Sequence, residues 1–227
     1  MSVLDEFKNR LPNDWLIPFC SSRGLSREGF IDTSLKKLSA IDARDFMQAI
    51  DNGFVHHHNG TFTAACSKVK EQIFFHGSKK SVPREVHLWL EPIITMAGLT
   101  RLVRDFGWPA YRLGMQSQTW AFDLVAYDED QKTELLACEV KKTEKEVDKL
   151  LELMEKHAGT SAEAASELKG PEKNAVKKVS GLPQSVSTIF WVLGPNRYGK
   201  VFNVLRTPDG RVTLHSTDES ALVFSGV

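Results

Sequence analysis

Three charged residues lie in stretches of the chain that are otherwise apolar. Asp123 lies within TWAFDLVAY, and Glu139 and Lys141 lie within ELLACEVKK. Residues i and i+2 of a β-strand project from the same face of a sheet, so Glu139 and Lys141 share a face. If the two stretches pair as a hairpin, Asp123 projects from that face as well, and the three charged groups converge.

Two carboxylates beside a lysine can do metal-assisted phosphate chemistry. Hard divalent cations such as Mg²⁺, or Mn²⁺ in its place, prefer oxygen ligands and often take one or two carboxylates together with water and phosphate. A lysine beside such an ion can hold or deprotonate an attacking water, or stabilise charge on a phosphate. We therefore expect a Mg²⁺ (or Mn²⁺) site at Asp123 and Glu139, with Lys141 acting on the water.

The arrangement of Asp123 and Glu139-Val140-Lys141 on adjacent strands, with a helix just after, resembles the PD-(D/E)xK nuclease superfamily. Phe122 stands where that motif usually has a proline, and the resemblance covers residues 81–227. It implies an α/β, restriction-endonuclease-like mixed sheet with an αβββαβ core. It also implies a metal-dependent nuclease acting on DNA, in which the carbonyl of Val140 is a further metal ligand.

The superfamily often carries another acidic residue on its first core helix, facing the metal. We expect a helix that is capped by Ser81, kinked by Pro92 and broken at Gly98. Glu85, near its start, is the first candidate for that acid, and Glu91 is the second. The candidates for contacts with nucleic-acid phosphates are Lys142, Lys145 and Arg84.

Two other interpretations of the charged residues stay open. The chain could be a catalytically inactive nucleic-acid-binding or regulatory protein that keeps the nuclease fold, since the motif lacks its proline. Alternatively, Asp123, Glu139 and Lys141 form a buried ion-pair network in an interaction protein. Metal binding near Asp123 and Glu139, and cleavage of DNA, separate the three.

Composition bounds these hypotheses. The 227 residues are 41% hydrophobic, enough for a sizeable core, and 29 basic residues balance 29 acidic ones. This balance argues against a generically basic nucleic-acid coat protein. The three widely spaced cysteines fit neither a zinc site nor a disulfide framework, which favours a reducing, cytoplasmic setting. No apolar run approaches a membrane span. A homodimer is left open.

We divide the chain into a smaller α+β N-terminal region, 1–80, and the nuclease-like core, 81–227. In the first region we expect a helix at 4–11 ended by Pro12, an extended segment around Pro18, and a helix at 43–50 after Ser39. Residues 54–65 predict a hairpin with its turn at Asn59-Gly60, and helices before a hairpin resemble a winged helix. His56 and His58 share a strand face and are candidate metal ligands; the alternative is a solvated or partly packed strand.

In the core, we expect a first strand at 110–115 before the two charged strands. The spacing of Val147, Leu150, Leu151 and Met154 predicts an amphipathic helix over 142–157, and a second helix is expected at 171–179. The apolar run 188–193 predicts a strand that is buried on both faces and parallel to the Glu139 strand. Residues 200–206 and 211–215 predict a closing hairpin.

Overall fold

The computed structural model describes residues 1–117, 122–157, 167–182, 188–206 and 212–226. Its α-helices are α1 Val3–Arg10, α2 Ile17–Ser21, α3 Ala40–Asp51, α4 Leu90–Arg104, α5 Glu144–Lys156 and α6 Gly170–Gly181. Its strands are β1 Phe30–Ile31, β2 Val55–His58, β3 Thr61–Ala64, β4 Phe74–His76, β5 Val86–Leu88, β6 Leu113–Met115, β7 Leu124–Tyr127, β8 Glu134–Val140, β9 Ile189–Leu193, β10 Gly199–Arg206 and β11 Val212–Thr217.

A six-stranded mixed sheet, ordered β11-β10-β9-β8-β7-β6, forms the centre of the described part of the chain. β8 and β9 are parallel, as expected for strands joined by a helical crossover, and the other neighbours are antiparallel. The prediction of a mixed α/β fold is therefore confirmed. The closing hairpin is confirmed as β10 and β11, and the turn expected between them, at Pro208-Asp209-Gly210, lies outside the described residues.

Helices cover both faces of this sheet, and the alternation of side chains along the strands decides which face each residue joins. Leu124, Ala126 and Cys138 pack on the face that α4 covers. Val125, Tyr127 and Ala137 pack on the opposite face, against α5 and α6. The parity of Ala137 along β8 places Glu139 on this second face as well.

The predicted amphipathic helix is confirmed as α5. Thr143 caps it by accepting the amide N–H of Glu146, and its buried residues are Val147, Leu150, Leu151 and Met154. The second predicted helix is confirmed as α6, which packs beside α5 and buries Ala175 and Val179. The predicted first core strand is partly a 3₁₀ turn, Ala110–Arg112, followed by β6.

The expected helix from Ser81 is wrong. The segment after Ser81 is a turn, Val86 and Leu88 alternate into the core from β5, and α4 begins only at Leu90. Pro92 therefore lies in the first turn of α4, where no intrahelical bond needs its missing amide. Gly98 does not break α4, which continues to Arg104. Because Gly98 has no side chain, the helix approaches Leu193 of β9 closely at this point.

The N-terminal region contains both confirmed and wrong predictions. Ser39 caps α3 by accepting the Asp42 amide N–H, and Asn59-Gly60 turns the chain between β2 and β3 with positive φ at both residues. Pro12 does not end the first helix: a π-helical turn, Leu11–Leu16, leads directly from α1 into α2. The segment around Pro18 is helical rather than extended, since this proline lies in the first turn of α2.

Of the three histidines on β2, the middle one, His57, is half-buried, and the other two are exposed. The ring of His57 stacks on Phe62 with centroids 4.7 Å apart and accepts a hydrogen bond from the Gly60 amide. His56 and His58 lie on the exposed side of β2. Among the residues described, no three histidine, cysteine, aspartate or glutamate side chains form a group suited to a metal ion.

A third, smaller sheet joins the N-terminal region to the core. Its order is β1-β5-β4, with β1 parallel and β4 antiparallel to β5. One apolar cluster contains residues on both sides of the proposed boundary at residue 80, from Phe7 and Phe46 to Leu99 and Trp191. The division into two domains stays a prediction.

The described helices include none with the length and apolar character to cross a bilayer. Cys20, Cys66 and Cys138 are buried and form no disulfide.

Candidate active site

The site lies where β7 begins and β8 ends, on the sheet face covered by α5 and α6. The chain bends at Asp123, so β7 begins only at Leu124, after the charged residue that the expected strand contained. Phe122 packs on Phe190 rather than on the α4 face with Leu124. The Asp123 amide N–H donates to the carbonyl of Cys138 at 2.9 Å. Residues 118–121, where the expected strand began, lie outside the described residues.

The carboxylate of Asp123 is held by the backbone of the neighbouring strand. Its Oδ2 atom accepts the amide N–H of Val140 at 2.8 Å. The next amide, that of Lys141, donates to the carbonyl of Leu193 on β9 at 2.9 Å. Three strands therefore fix the backbone around Asp123, Val140 and Lys141.

Glu139 is the most deeply buried acid of the site, with 2% of its surface exposed. Its Oε1 atom accepts a hydrogen bond from the Lys141 ammonium at 2.5 Å, and its Oε2 atom accepts one from Lys178 at 2.5 Å. The Lys141 ammonium also donates to the carbonyl of Val140 at 3.0 Å. The structure thus places the side chains of Asp123, Glu139 and Lys141 in one cluster, as the sequence predicts.

Burial and the neighbouring carboxylate give Asp123 an unusual charge state. Burial first, and the negative charge of Glu139 second, raise the pKa of Asp123 from 3.8 to about 7. The Val140 amide and the two lysines lower it, but by less. Asp123 is therefore a carboxyl group that changes charge near neutral pH, as groups in catalytic sites often do.

Lys141 is a stable ammonium. Burial lowers its pKa, but the charge of Glu139, the hydrogen bond to it and the charge of Asp123 together raise it further, so the pKa lies above its ordinary value. A lysine in this state is a poor base for an attacking water. Its positive charge is suited to holding a water or an anionic phosphate oxygen in place.

Lys178 was not among the residues that the sequence pointed to as a site residue. It lies on α6 and reaches Glu139 from a position 39 residues along the chain. Only the packing of α6 against α5 brings it there, and no spacing rule within the sequence records that packing. It is the second lysine of the site.

An open groove of about 340 Å³ reaches Lys141 and Lys178, the two lysines bound to Glu139, while Asp123 and Glu139 lie behind them and are not part of its described lining. Its lining includes Glu91, Lys141 and Lys178, together with Lys149 of α5 and Asn174 of α6. Glu91 lies in the first turn of α4, and its charge contributes to the raised pKa of Lys141. The groove therefore places three basic and two acidic side chains, Glu91 and Glu146, around a space open to solvent.

The expectation that Glu85 lies near the start of the first core helix is wrong. Glu85 is an exposed residue before β5, where its carboxylate contacts His87 at 3.0 Å. Glu91, the second candidate, is the acidic residue at the start of the helix because the helix begins at Leu90. Position in the helix, on which the choice of Glu85 depended, therefore favours Glu91.

The three basic residues suggested for phosphate contacts differ in their exposure and in their partners. Lys142 is exposed next to Lys141, and its ammonium lies 3.5 Å from Glu146. Lys145 is exposed in the first turn of α5. Arg84 is half-buried, and its guanidinium donates to the carbonyl of Gly77 at 3.0 Å.

A larger groove, of about 720 Å³, lies elsewhere, at the opposite ends of β8 and β9. Its lining is mainly apolar and includes Trp108, Leu135, Ile189 and Phe224. Its described lining has one carboxylate, that of Asp128. It therefore lacks the paired charges that mark the site around Glu139.

Comparisons with known protein families, with curated proteins and with solved structures give no significant match.

Proposed function

We propose that this protein is a metal-dependent nuclease that hydrolyses phosphodiester bonds in DNA. The observation that carries the proposal is the convergence of Asp123, Glu139 and Lys141 beside an open groove, in an otherwise apolar sheet. Burying carboxylates there is costly, and function is a common reason for such a cost. The order α4, β6, β7, β8, α5, β9 supports a restriction-endonuclease-like core, with α6 as an additional helix in the crossover.

The donor set suits Mg²⁺ or Mn²⁺. Asp123 and Glu139 offer carboxylate oxygens, and the carbonyl of Val140 is a third hard oxygen donor within the same cluster. Burial first, and the nearby Glu139 carboxylate second, raise the pKa of Asp123, and a divalent cation would stabilise both carboxylates in their ionised forms. When bound, the metal would supply Lewis-acid activation of a phosphate oxygen and of water.

The chain's own residues supply the remaining chemistry of the proposal. The Val140 amide orients the Asp123 carboxylate, and Lys141 contributes a fixed positive charge where negative charge develops on the scissile phosphate. Glu91 is proposed as the additional helix acid in place of Glu85. Lys142 and Lys145 are placed to contact phosphates of a bound strand, which adds affinity without sequence recognition.

A cleavage assay tests this proposal. The purified protein is incubated with plasmid, linear duplex and single-stranded DNA in Mg²⁺ or Mn²⁺, alongside Asp123→Asn, Glu139→Gln and Lys141→Met. We expect cleavage by the parent protein and a loss of at least about a hundredfold in each variant, because each removes a group that acts on the reacting phosphate or its metal.

Matched controls separate chemistry from folding. Glu155→Gln on α5 and Lys36→Met, both at exposed positions, make the same kinds of change away from the site and should cleave as the parent does. Circular dichroism checks that every variant is folded. Absence of cleavage by the parent on all three substrates with both metals, or full activity in Glu139→Gln, would contradict the proposal.

One observation favours a second candidate, an interaction protein in which the charged residues form a buried ion-pair network and catalyse no reaction. Both carboxylate oxygens of Glu139 are engaged by lysines, which is how a structural ion-pair network satisfies a buried acid. For a metal to use Glu139, Lys178 or Lys141 must yield its place. Under this candidate, DNA stays intact with either metal, and Glu139→Gln destabilises the protein because it leaves two buried lysines without their countercharge.

A further inference from the structure

The solvent face of β4 and β5 is unusual because it carries aromatic rings. Along these strands Phe74, Val86 and Leu88 point inward and are buried. The alternate positions point outward, and a solvent-facing strand position is ordinarily polar. Here they are occupied by Phe75 and His87, followed by Trp89 at the end of β5.

These three rings form one continuous surface. Phe75 and His87 are direct cross-strand partners, and their rings stack with centroids 5.1 Å apart and planes 18° apart. Trp89 lies edge-on to Phe75, with centroids 6.5 Å apart. Phe75 is 48% exposed and Trp89 is 40% exposed, so large parts of the two rings are open to solvent. We call Phe75, His87 and Trp89 the aromatic face.

The segment that carries Phe75 and His87 is rich in basic residues. Residues 68–87 contain five lysines and arginines and two acidic residues, although the whole chain is neutral. Of those acids, Glu71 is hydrogen-bonded by Gln116 and Glu85 contacts His87. The basic residues are Lys68, Lys70, Lys79, Lys80 and Arg84. Lys70 lines a groove of about 280 Å³ together with Phe75 and Trp89.

The aromatic face is linked to the candidate active site by one residue. The indole N–H of Trp89 donates to a carboxylate oxygen of Glu91 at 3.1 Å. Glu91 also lines the groove that contains Lys141 and Lys178. The aromatic face and the groove therefore meet at Glu91.

We propose that the aromatic face binds single-stranded DNA by stacking unpaired bases on Phe75 and Trp89, while the nearby lysines contact the phosphates. Open aromatic rings beside basic side chains are the usual means of binding single strands without sequence preference. A duplex keeps its bases stacked on each other, so the rings offer it no comparable contact. This inference rests on the proposed nuclease function and names its substrate class: DNA with unpaired bases.

Binding is tested without cleavage, by fluorescence anisotropy of labelled oligonucleotides in EDTA. The oligonucleotides are a 12-base single strand and its blunt duplex. We expect the parent protein to prefer the single strand, and the double variant Phe75→Ala, Trp89→Ala to bind it at least about tenfold more weakly. Trp89→Phe keeps an aromatic ring and should restore most of the affinity lost in Trp89→Ala.

Tyr111→Ala is the matched control, since Tyr111 is an aromatic residue with 57% exposure outside the aromatic face. It should bind as the parent does, and circular dichroism checks that all variants are folded. The inference is overturned if the parent fails to bind the single strand, if it prefers the duplex, or if the double variant binds the single strand as well as the parent.

The outcome is separable from that of the nuclease proposal. Single-strand binding that is lost in the double variant, by a protein that cleaves nothing, supports the aromatic face and contradicts the nuclease. Cleavage that depends on Glu139 but shows no preference for single strands, and is unchanged in the double variant, supports the nuclease and contradicts the inference.

Discussion

The surroundings of Asp123 raise its pKa from 3.8 to about 7. Burial and the Glu139 carboxylate both penalise its ionised form, and together they outweigh the Val140 amide and the two nearby lysines. The folded protein therefore binds a proton at Asp123 under conditions in which the unfolded chain has lost it. This difference links the stability of the fold to pH.

The sign of that link gives a prediction. Since the pKa of Asp123 rises from 3.8 to about 7 on folding, its contribution should lower the free energy of unfolding as pH increases between about 4 and 7. The whole change is at most about 4 kcal/mol. Asp123→Asn cannot ionise, so its stability should fall less over this range. Urea unfolding of both proteins at a series of pH values measures the difference.

Asp32→Asn serves as a control at an exposed aspartate, and its stability should follow the pH dependence of the parent. If Asp123→Asn also follows the parent between pH 4 and 7, Asp123 is ionised throughout this range in the folded protein. The electrostatic description of the site would then be wrong.

Three site residues could be predicted from the sequence, and one could not. Asp123, Glu139 and Lys141 interrupt apolar stretches, and the two-residue period of a strand, together with the pairing of the two stretches as a hairpin, places them on one face. Lys178 contacts Glu139 only because α6 packs against α5, and this tertiary arrangement leaves no periodic signal in the sequence. The choice between Glu85 and Glu91 depended on where a helix begins, which sequence patterns locate poorly.

At the scale of elements, α4 is the helix that supports the strands of the site from behind. It crosses the sheet face opposite to Glu139, and Gly98 is the point of close approach. A Cβ atom at Gly98 would lie 2.7 Å from Cδ2 of Leu193 and 3.3 Å from Cδ2 of Leu124. Both leucines are buried, so their side chains have little room to move.

A graded series at Gly98 tests this close approach. Alanine gains helix propensity and needs a small shift of Leu193, so Gly98→Ala should change the free energy of unfolding by less than about 1 kcal/mol. Gly98→Leu overpacks the interface between α4 and the sheet and should lower it by about 1–3 kcal/mol. Urea unfolding followed by circular dichroism measures both. Equal stability of the two variants would show that α4 does not pack closely here.

The same helix explains why the sequence misplaced the start of the core. Val86 and Leu90 have helical spacing with Ile93 and Ile94, so the pattern fits one long helix from Ser81. In the fold, Val86 and Leu88 are instead the inward residues of a short strand, and the helix begins after Trp89. A strand of three residues provides too few positions to show its own period. The sequence therefore could not reveal the aromatic face, which depends on this strand.

For the whole molecule, the central question is whether the N-terminal region and the sheet unfold together. Buried residues of α1, α3, α4 and the central sheet belong to one apolar cluster. Polar contacts reinforce it: the Asp45 carboxylate of α3, 1% exposed, is bound by Arg197 from the loop after β9 at 2.9 Å. In the same contact region, the Thr100 hydroxyl of α4 donates to the carbonyl of Asp45 at 2.7 Å. We therefore expect a single cooperative transition.

Asp45→Asn tests this coupling. The amide keeps the shape of the side chain but leaves Arg197 without its buried countercharge, so we expect the free energy of unfolding to fall by about 1–3 kcal/mol. The loss is below that of a fully buried pair because Arg197 is about a third exposed and keeps Asp105 at 3.2 Å. Asp51 lies on α3, as Asp45 does, and is an exposed partner of Arg10 of α1. Asp51→Asn should therefore cost less than about 1 kcal/mol.

Urea unfolding followed by both circular dichroism and tryptophan fluorescence provides the measurement. If the shared core couples the two regions, the two signals change together in the parent and in Asp45→Asn, and the variant only shifts the midpoint. Equal effects of the Asp45 and Asp51 substitutions would show that the contact between Asp45 and Arg197 does not couple the two regions. Two separate transitions would show that the N-terminal region folds independently. In that case the aromatic face, whose strand β5 pairs with β1 of that region, would depend on the stability of the less stable unit.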